Sequence, residues 1–218
     1  MKPSALFRPP GPARPVLRCA AMLAFGLASL AVQAASVQVQ AVSPRGTPLM
    51  NAVVYAVPVN GKAPALEAGK RAVIDQIDRE FVPLVSVIQT GTAVSFPNKD
   101  DVEHAVYSFS PPKRFEIKLY SGVPARPVVF DKPGMVTLGC NIHDSMVAYV
   151  LVVDTPYFAK TDKAGRASID NMPAGSYRIV AWHPQQRDPN ATSTQNSEVP
   201  AGGANAPPMK FTLTTDTN

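Results

Sequence analysis

Cys140, His143 and Met146 stand at three-residue intervals in residues 136–147 (VTLGCNIHDSMV), and His104 lies upstream in residues 101–109 (DVEHAVYSF). A thiolate, two imidazoles and a weak thioether form a donor set suited to one copper ion passing between +1 and +2. Zinc also accepts cysteine and histidine, but it gains little from a thioether and normally fills four places with harder donors or more thiolates. A Cys–His nucleophile pair needs an aligned attack geometry and an orienting acid. The tight spacing offers no such alignment, and the only nearby acid is Asp144. The chemistry these residues favour is carriage of electrons or of copper. Without paired carboxylates or a substrate motif, an enzyme is the weaker reading.

Each donor also has a plainer role to be weighed against ligation. His104 follows Glu103 and could be a solvated loop histidine, and Met146 opens an apolar run and could be a core residue. His183, in residues 181–184 (AWHP), falls at a strand end outside the group and is read as structural. The cysteine count sharpens the case. The chain has two cysteines, Cys19 and Cys140, and Cys19 lies in a segment expected to be removed.

That segment is residues 1–34. Lys2, Arg8, Arg14 and Arg18 precede an apolar run over residues 19–32, and small residues follow at 31–36 (AVQAAS). This is the layout of a secretory signal cleaved after Ala34 or Ala35, with a run too short for a comfortable membrane span. The expectation is a periplasmic protein with no stable membrane insertion. A lone Cys140 in an oxidising compartment has no internal disulfide partner, so it must be buried or metal-bound. The four basic residues of the signal also account for most of the charge excess. Without them 17 Lys and Arg face 16 Asp and Glu, which removes the basic surface that nucleic-acid binding requires.

Residues 35–218 must supply the elements that position the donors. Short β-rich runs recur, including residues 36–42, 51–59, 82–89, 92–97, 105–109, 114–120, 127–130, 135–139, 146–154, 166–169, 176–182 and 209–214. Gly, Pro, Asn and Asp turn signals separate them, the pattern of an all-β sandwich or barrel. Residues 60–72 and 185–208 read as loops, and residues 71–80 as at most a short helical turn. The expected division is residues 35–80 as an N-terminal β region, 81–154 as the copper region, and 155–218 as a C-terminal β region with a loop-rich tail.

At His104 and the C-x-x-H-x-x-M loop the chain resembles the cupredoxins, the blue copper proteins, and most closely their amicyanin-like and plastocyanin-like members. The resemblance implies a Greek-key β-sandwich with additional sandwich-like elements and one copper near one pole. It implies His104, Cys140, His143 and Met146 as the ligands, and the exposed edge of His143 as the electron route to a redox protein partner. An apolar patch of Ile142, Pro111 and Pro112 is expected to meet that partner, with Lys113, Arg114 and Lys118 orienting an acidic one. Many cupredoxins carry Asn directly after the upstream His, where it fastens the two ligand loops. Ala105 stands there in this chain, leaving Asn98 or Asn141 for that task.

The wider arrangement resembles bacterial proteins labelled methylamine-utilisation proteins. Residues 161–184 and 45–58 are similar to carboxypeptidase-regulatory-like or transthyretin-like segments, which implies a scaffolding or binding module. Two rival readings remain: a periplasmic copper-binding or delivery protein, and a metal-free β-sandwich interaction module.

Overall fold

Alternation of buried and exposed side chains sets the strands, and the chain is all-β. The computed structural model describes residues 35–188 and 190–216, and every described residue lies in the single unit Val32–Asn218. The expected signal segment lies outside the described residues. The strands run β1 (Ala35–Val42), β2 (Val53–Pro58), β3 (Arg71–Val73), β4 (Asp75–Ile77), β5 (Glu80–Val82) and β6 (Val85–Gln89). They continue as β7 (Thr92–Ser95), β8 (His104–Ser108), β9 (Phe115–Tyr120), β10 (Val128–Phe130), β11 (Gly134–Gly139) and β12 (Val147–Val153). The last five are β13 (Phe158–Lys160), β14 (Arg166–Met172), β15 (Gly175–Trp182), β16 (Ser193–Val199) and β17 (Met209–Thr212). Among the described residues no helix is long and apolar enough to cross a membrane.

Two layered assemblies share the chain. Sheets β14-β1-β17 and β13-β2-β15-β16 enclose a core containing Val37, Val54, Ile169, Ile179 and Phe211. Strands from both ends of the chain therefore build one sandwich. The middle of the chain forms the other, with sheets β10-β7-β3 and β6-β12-β11-β8-β9 around Phe96, Phe130, Leu138 and Val150. Its connections cross between sheets in Greek-key fashion. After β9, the chain pairs β10 with β7 in the opposite sheet, then returns as β11 beside β8.

The two cores meet through a third cluster in which Val53 and Trp182 pack with Val85, Leu151 and Val153. This seam explains why residues 52–56 and 146–153 are apolar without alternation. In β2, Val54 and Ala56 face one core while Val53 and Tyr55 face the seam. In β12, Ala148, Val150 and Val152 face the other core while Tyr149, Leu151 and Val153 face the seam. A strand buried on both faces loses its polar positions. Across the same seam the Lys160 ammonium donates to the Val85 carbonyl at 2.8 Å, and burial pushes the Lys160 pKa down.

Two local expectations are corrected. Residues 71–80 form β3, β4 and the start of β5, not a helical turn. Ile74 and Gln76 are buried between more exposed neighbours, the two-residue period of a strand, and Asp78 and Arg79 take left-handed φ of 54° and 60° to turn the β4–β5 hairpin. The expected division at residue 80 therefore falls inside this hairpin, while β3 already pairs with β7. Residues 185–208 contain β16, which pairs with β15 along its length. Its sequence STQNSEV is polar because β16 is an edge strand exposed on most of its surface.

Candidate metal centre

All four candidate donors come to one end of the five-stranded sheet. β11 ends at Gly139, so Cys140 is the first residue of the loop, and β12 begins at Val147, directly after Met146. Gly139 pairs with Val147 across that hairpin and with Tyr107 of β8 on its other side. His104 opens β8 three residues before Tyr107, which carries it past Gly139 and over the loop. A turn in which the Met146 amide donates to the His143 carbonyl at 2.9 Å closes the loop.

The donor atoms of His104, Cys140 and His143 all lie within 4.8 Å of one another. The two imidazoles meet through their Nδ1 atoms at 3.2 Å, with ring centroids 4.9 Å apart. His104 is 0% exposed, Cys140 2% and Met146 1%. His143 is half-buried, and the adjacent Ile142 is 48% exposed. The structure thus brings the sequence-predicted residues together, with the thiol and one imidazole away from water. His183 lies apart from them. It is buried, bonds to the Met50 carbonyl at 3.1 Å through Nε2, and accepts the Gln185 amide at Nδ1.

The loop before His104 is fastened by Asn98. Its Nδ2 donates to the carbonyls of Val102 and Tyr120 at 2.8 and 2.9 Å, and its Oδ1 accepts the Asp100 amide at 3.0 Å. Asn98 thus ties the His104 loop to β9. That loop also holds Asp100, whose Oδ2 lies 2.7 Å from His104 Nε2. Burial pushes the Asp100 carboxyl up, but hydrogen bonds from the Arg79 amide, His104 and the Asp78 amide outweigh it and leave it below its ordinary value. Sequence reasoning missed Asp100. Its signal was the D-x-x-x-H spacing in a polar loop, but the adjacent Asp101 made the pairing ambiguous.

Behind the site, the Tyr120 hydroxyl donates to the Phe96 carbonyl at 2.6 Å and accepts from Gln76 Nε2. Burial pushes the Tyr120 phenol up to about 12, and the Gln76 hydrogen bond opposes that shift.

The expected apolar approach surface is smaller than the sequence implied. Pro112 lies against Gly134, where an added Cβ would sit 2.6 Å from its Cγ. Gly134 and Gly139 are opposite ends of β11, about 17 Å apart at strand rise, so Pro112 belongs to the far end. Lys113 pairs with Asp131 at 2.9 Å. Ile142 remains beside His143.

The donor chemistry fits copper better than zinc. Among the described residues the cluster of histidine, cysteine and acidic side chains has three members, and the neighbouring residue at the end of its loop is a thioether. Asp100 bonds His104 through Nε2, while Nδ1 faces the cluster.

No family model matches the chain, and no curated protein does. Several solved structures are similar over part of it. A copper-containing nitrite reductase from Thermus scotoductus SA-01 is 26% identical over 44% of this chain and 25% of its own, with a TM-score of 0.37. The chain therefore spans a quarter of that protein's length. A purple cupredoxin from Nitrosopumilus maritimus is 24% identical over 38% of this chain and 99% of its own, with a TM-score of 0.34. An amicyanin variant in its Cu(I) form is 17% identical over 45% of this chain and 99% of its own, with a TM-score of 0.35.

Proposed function

We propose that this chain is an exported, single-electron carrier that holds one copper ion through His104, Cys140, His143 and Met146. The observation that carries this reading is the convergence of one thiol and two imidazole nitrogens at a buried pole, with a buried methionine closing the same loop. Copper, when bound, supplies a one-electron Cu(I)/Cu(II) couple. The chain's residues do the rest. β11, β12 and β8 fix three ligand positions on one sheet, so the donors are held in place before the metal arrives. Burial of Cys140 and His104 keeps water from the thiolate. The surface edge of His143, beside apolar Ile142, offers a redox protein a short approach.

Residues 1–34 direct the chain to the periplasm in this reading. The second sandwich, with its carboxypeptidase-regulatory-like segments, serves as a packed support, the organisation expected of proteins labelled for methylamine utilisation. No residue is assigned a catalytic role. Voltammetry of the copper-loaded protein tests the assignment. A reversible one-electron wave with the ion retained in both states supports a carrier. Release of the ion on reduction would instead make the chain a copper-delivery protein.

A further inference from the structure

We propose that Asp100 is the positioning residue of this centre and that the β4–β5 hairpin is built to hold it. The inference rests on reading His104 as a ligand through Nδ1. Asp100 Oδ1 accepts the Asp78 amide at 2.7 Å, and Oδ2 accepts the Arg79 amide at 2.9 Å. Oδ2 also meets His104 Nε2 at 2.7 Å. Asp78 and Arg79 both adopt positive φ, the conformation of a tight hairpin turn, at residues that have a Cβ to be strained by it. The turn's reward is two consecutive N–H groups aimed at one carboxylate. The hairpin is itself anchored beside the His104 loop. The Gln76 amide donates to the Pro97 carbonyl at 2.8 Å, the Lys99 amide to the Gln76 carbonyl at 2.9 Å, and the Lys99 ammonium to Asp75 at 2.8 Å.

A carboxylate offers acceptors only, so in the neutral imidazole the proton of His104 sits on Nε2. Nδ1 is then a bare lone pair directed at the cluster. His143 Nδ1, 3.2 Å away, must donate to it when no metal is bound. Asp100 therefore selects the tautomer of both rings. It leaves His104 ready to bind, while His143 must shift its proton to Nε2 before its own Nδ1 can ligate. A hydrogen-bond partner on the non-ligating nitrogen is a general means of fixing a histidine ligand's tautomer and raising its basicity.

The test uses metal-free, ¹⁵N-labelled residues 35–218 at pH 8, with ring tautomers read from long-range ¹H–¹⁵N spectra. Wild type is expected to show His104 as the Nε2–H form and His143 as the Nδ1–H form. Asp100→Ala removes the acceptor opposite Nε2, and His104 is expected to move toward the Nδ1–H form. Asp100→Glu is expected to retain the Nε2–H form at least in part. A parallel copper titration is expected to show Asp100→Ala binding about 10–100-fold more weakly than wild type. Nδ1–H on wild-type His104 overturns the proposal, even if Asp100→Ala does not fold. A His104 tautomer unaltered by Asp100→Ala also overturns it, whatever happens to copper. If the tautomers behave as expected but the wild type takes up no copper, the positioning by Asp100 stands and the functional reading fails.

Discussion

Replacing Asn98 with alanine isolates the contribution of the His104 loop. The Asn98 side chain is 5% exposed and makes three hydrogen bonds, all to backbone groups of residues 100, 102 and 120. Truncation leaves those groups without their partner inside a loop that water reaches only partly. At about 1 kcal/mol for each lost bond, and more where a group stays dry, the loss is about 2–4 kcal/mol. For a chain of this size that corresponds to a fall in Tm of about 4–16 °C. Asn98→Asp separates chemistry from shape. It keeps the acceptor for the Asp100 amide but turns a carboxylate oxygen toward the carbonyls of Val102 and Tyr120, so it should cost at least as much as alanine at neutral pH. Differential scanning calorimetry of the metal-free protein reads both effects before copper enters. A Tm loss below about 2 °C for Asn98→Ala, or wild-type stability for Asn98→Asp, would refute the reasoning.

Three further outcomes follow from other parts of the structure. Gly165→Ala should destabilise by about 3–5 kcal/mol in denaturant titrations, combining a left-handed φ with a Cβ 2.4 Å from the Ala41 carbonyl oxygen. Gly46→Ala has a similar φ and nothing within 4 Å, so it should cost only about 1–2 kcal/mol, and equal costs would contradict the steric argument. Burial pushes the His183 pKa below its ordinary 6.5, while its bond to the Met50 carbonyl opposes that shift. The unfolded chain then binds the proton more readily. The contribution is full above pH 6.5 and lost as pH falls through 6.5 toward the depressed folded value. His183→Gln should flatten this slope in urea titrations at pH 5 to 8, and an unchanged slope would show that another group sets it. Met146→Leu keeps the buried volume but removes the thioether, so copper should stay bound at an altered potential, and an unchanged potential would remove Met146 from the ligand set.

The sequence exposed the donors and the strands around them because their signals are local. C-x-x-H-x-x-M puts three donors on one hairpin loop, and the runs before and after it alternate or are wholly apolar as strands require. What it hid depends on distant contacts. β16 reads as a loop because an edge strand has no apolar face to display. Residues 71–80 suit a helical turn by composition, and only pairing with β7 and the left-handed turn at Asp78 and Arg79 make them strands. The joining of β1 and β2 with β13 to β17 in one sandwich depends on pairings across more than a hundred residues. Asp100 stands at D-x-x-x-H spacing from His104, but what sets it apart from Asp101 is a pair of amide partners more than twenty positions upstream.

The central claim is that Cys140 and two histidines bind one copper ion as a thiolate centre. Its most direct test is to add Cu(II) to reduced residues 35–218 and record visible and electron-spin-resonance spectra, with Cys140→Ser alongside. One equivalent should give an intense blue or green thiolate band and a narrow copper hyperfine splitting, both absent from Cys140→Ser. A colourless mixture with weak or nonstoichiometric binding, or a band that survives Cys140→Ser, would contradict it.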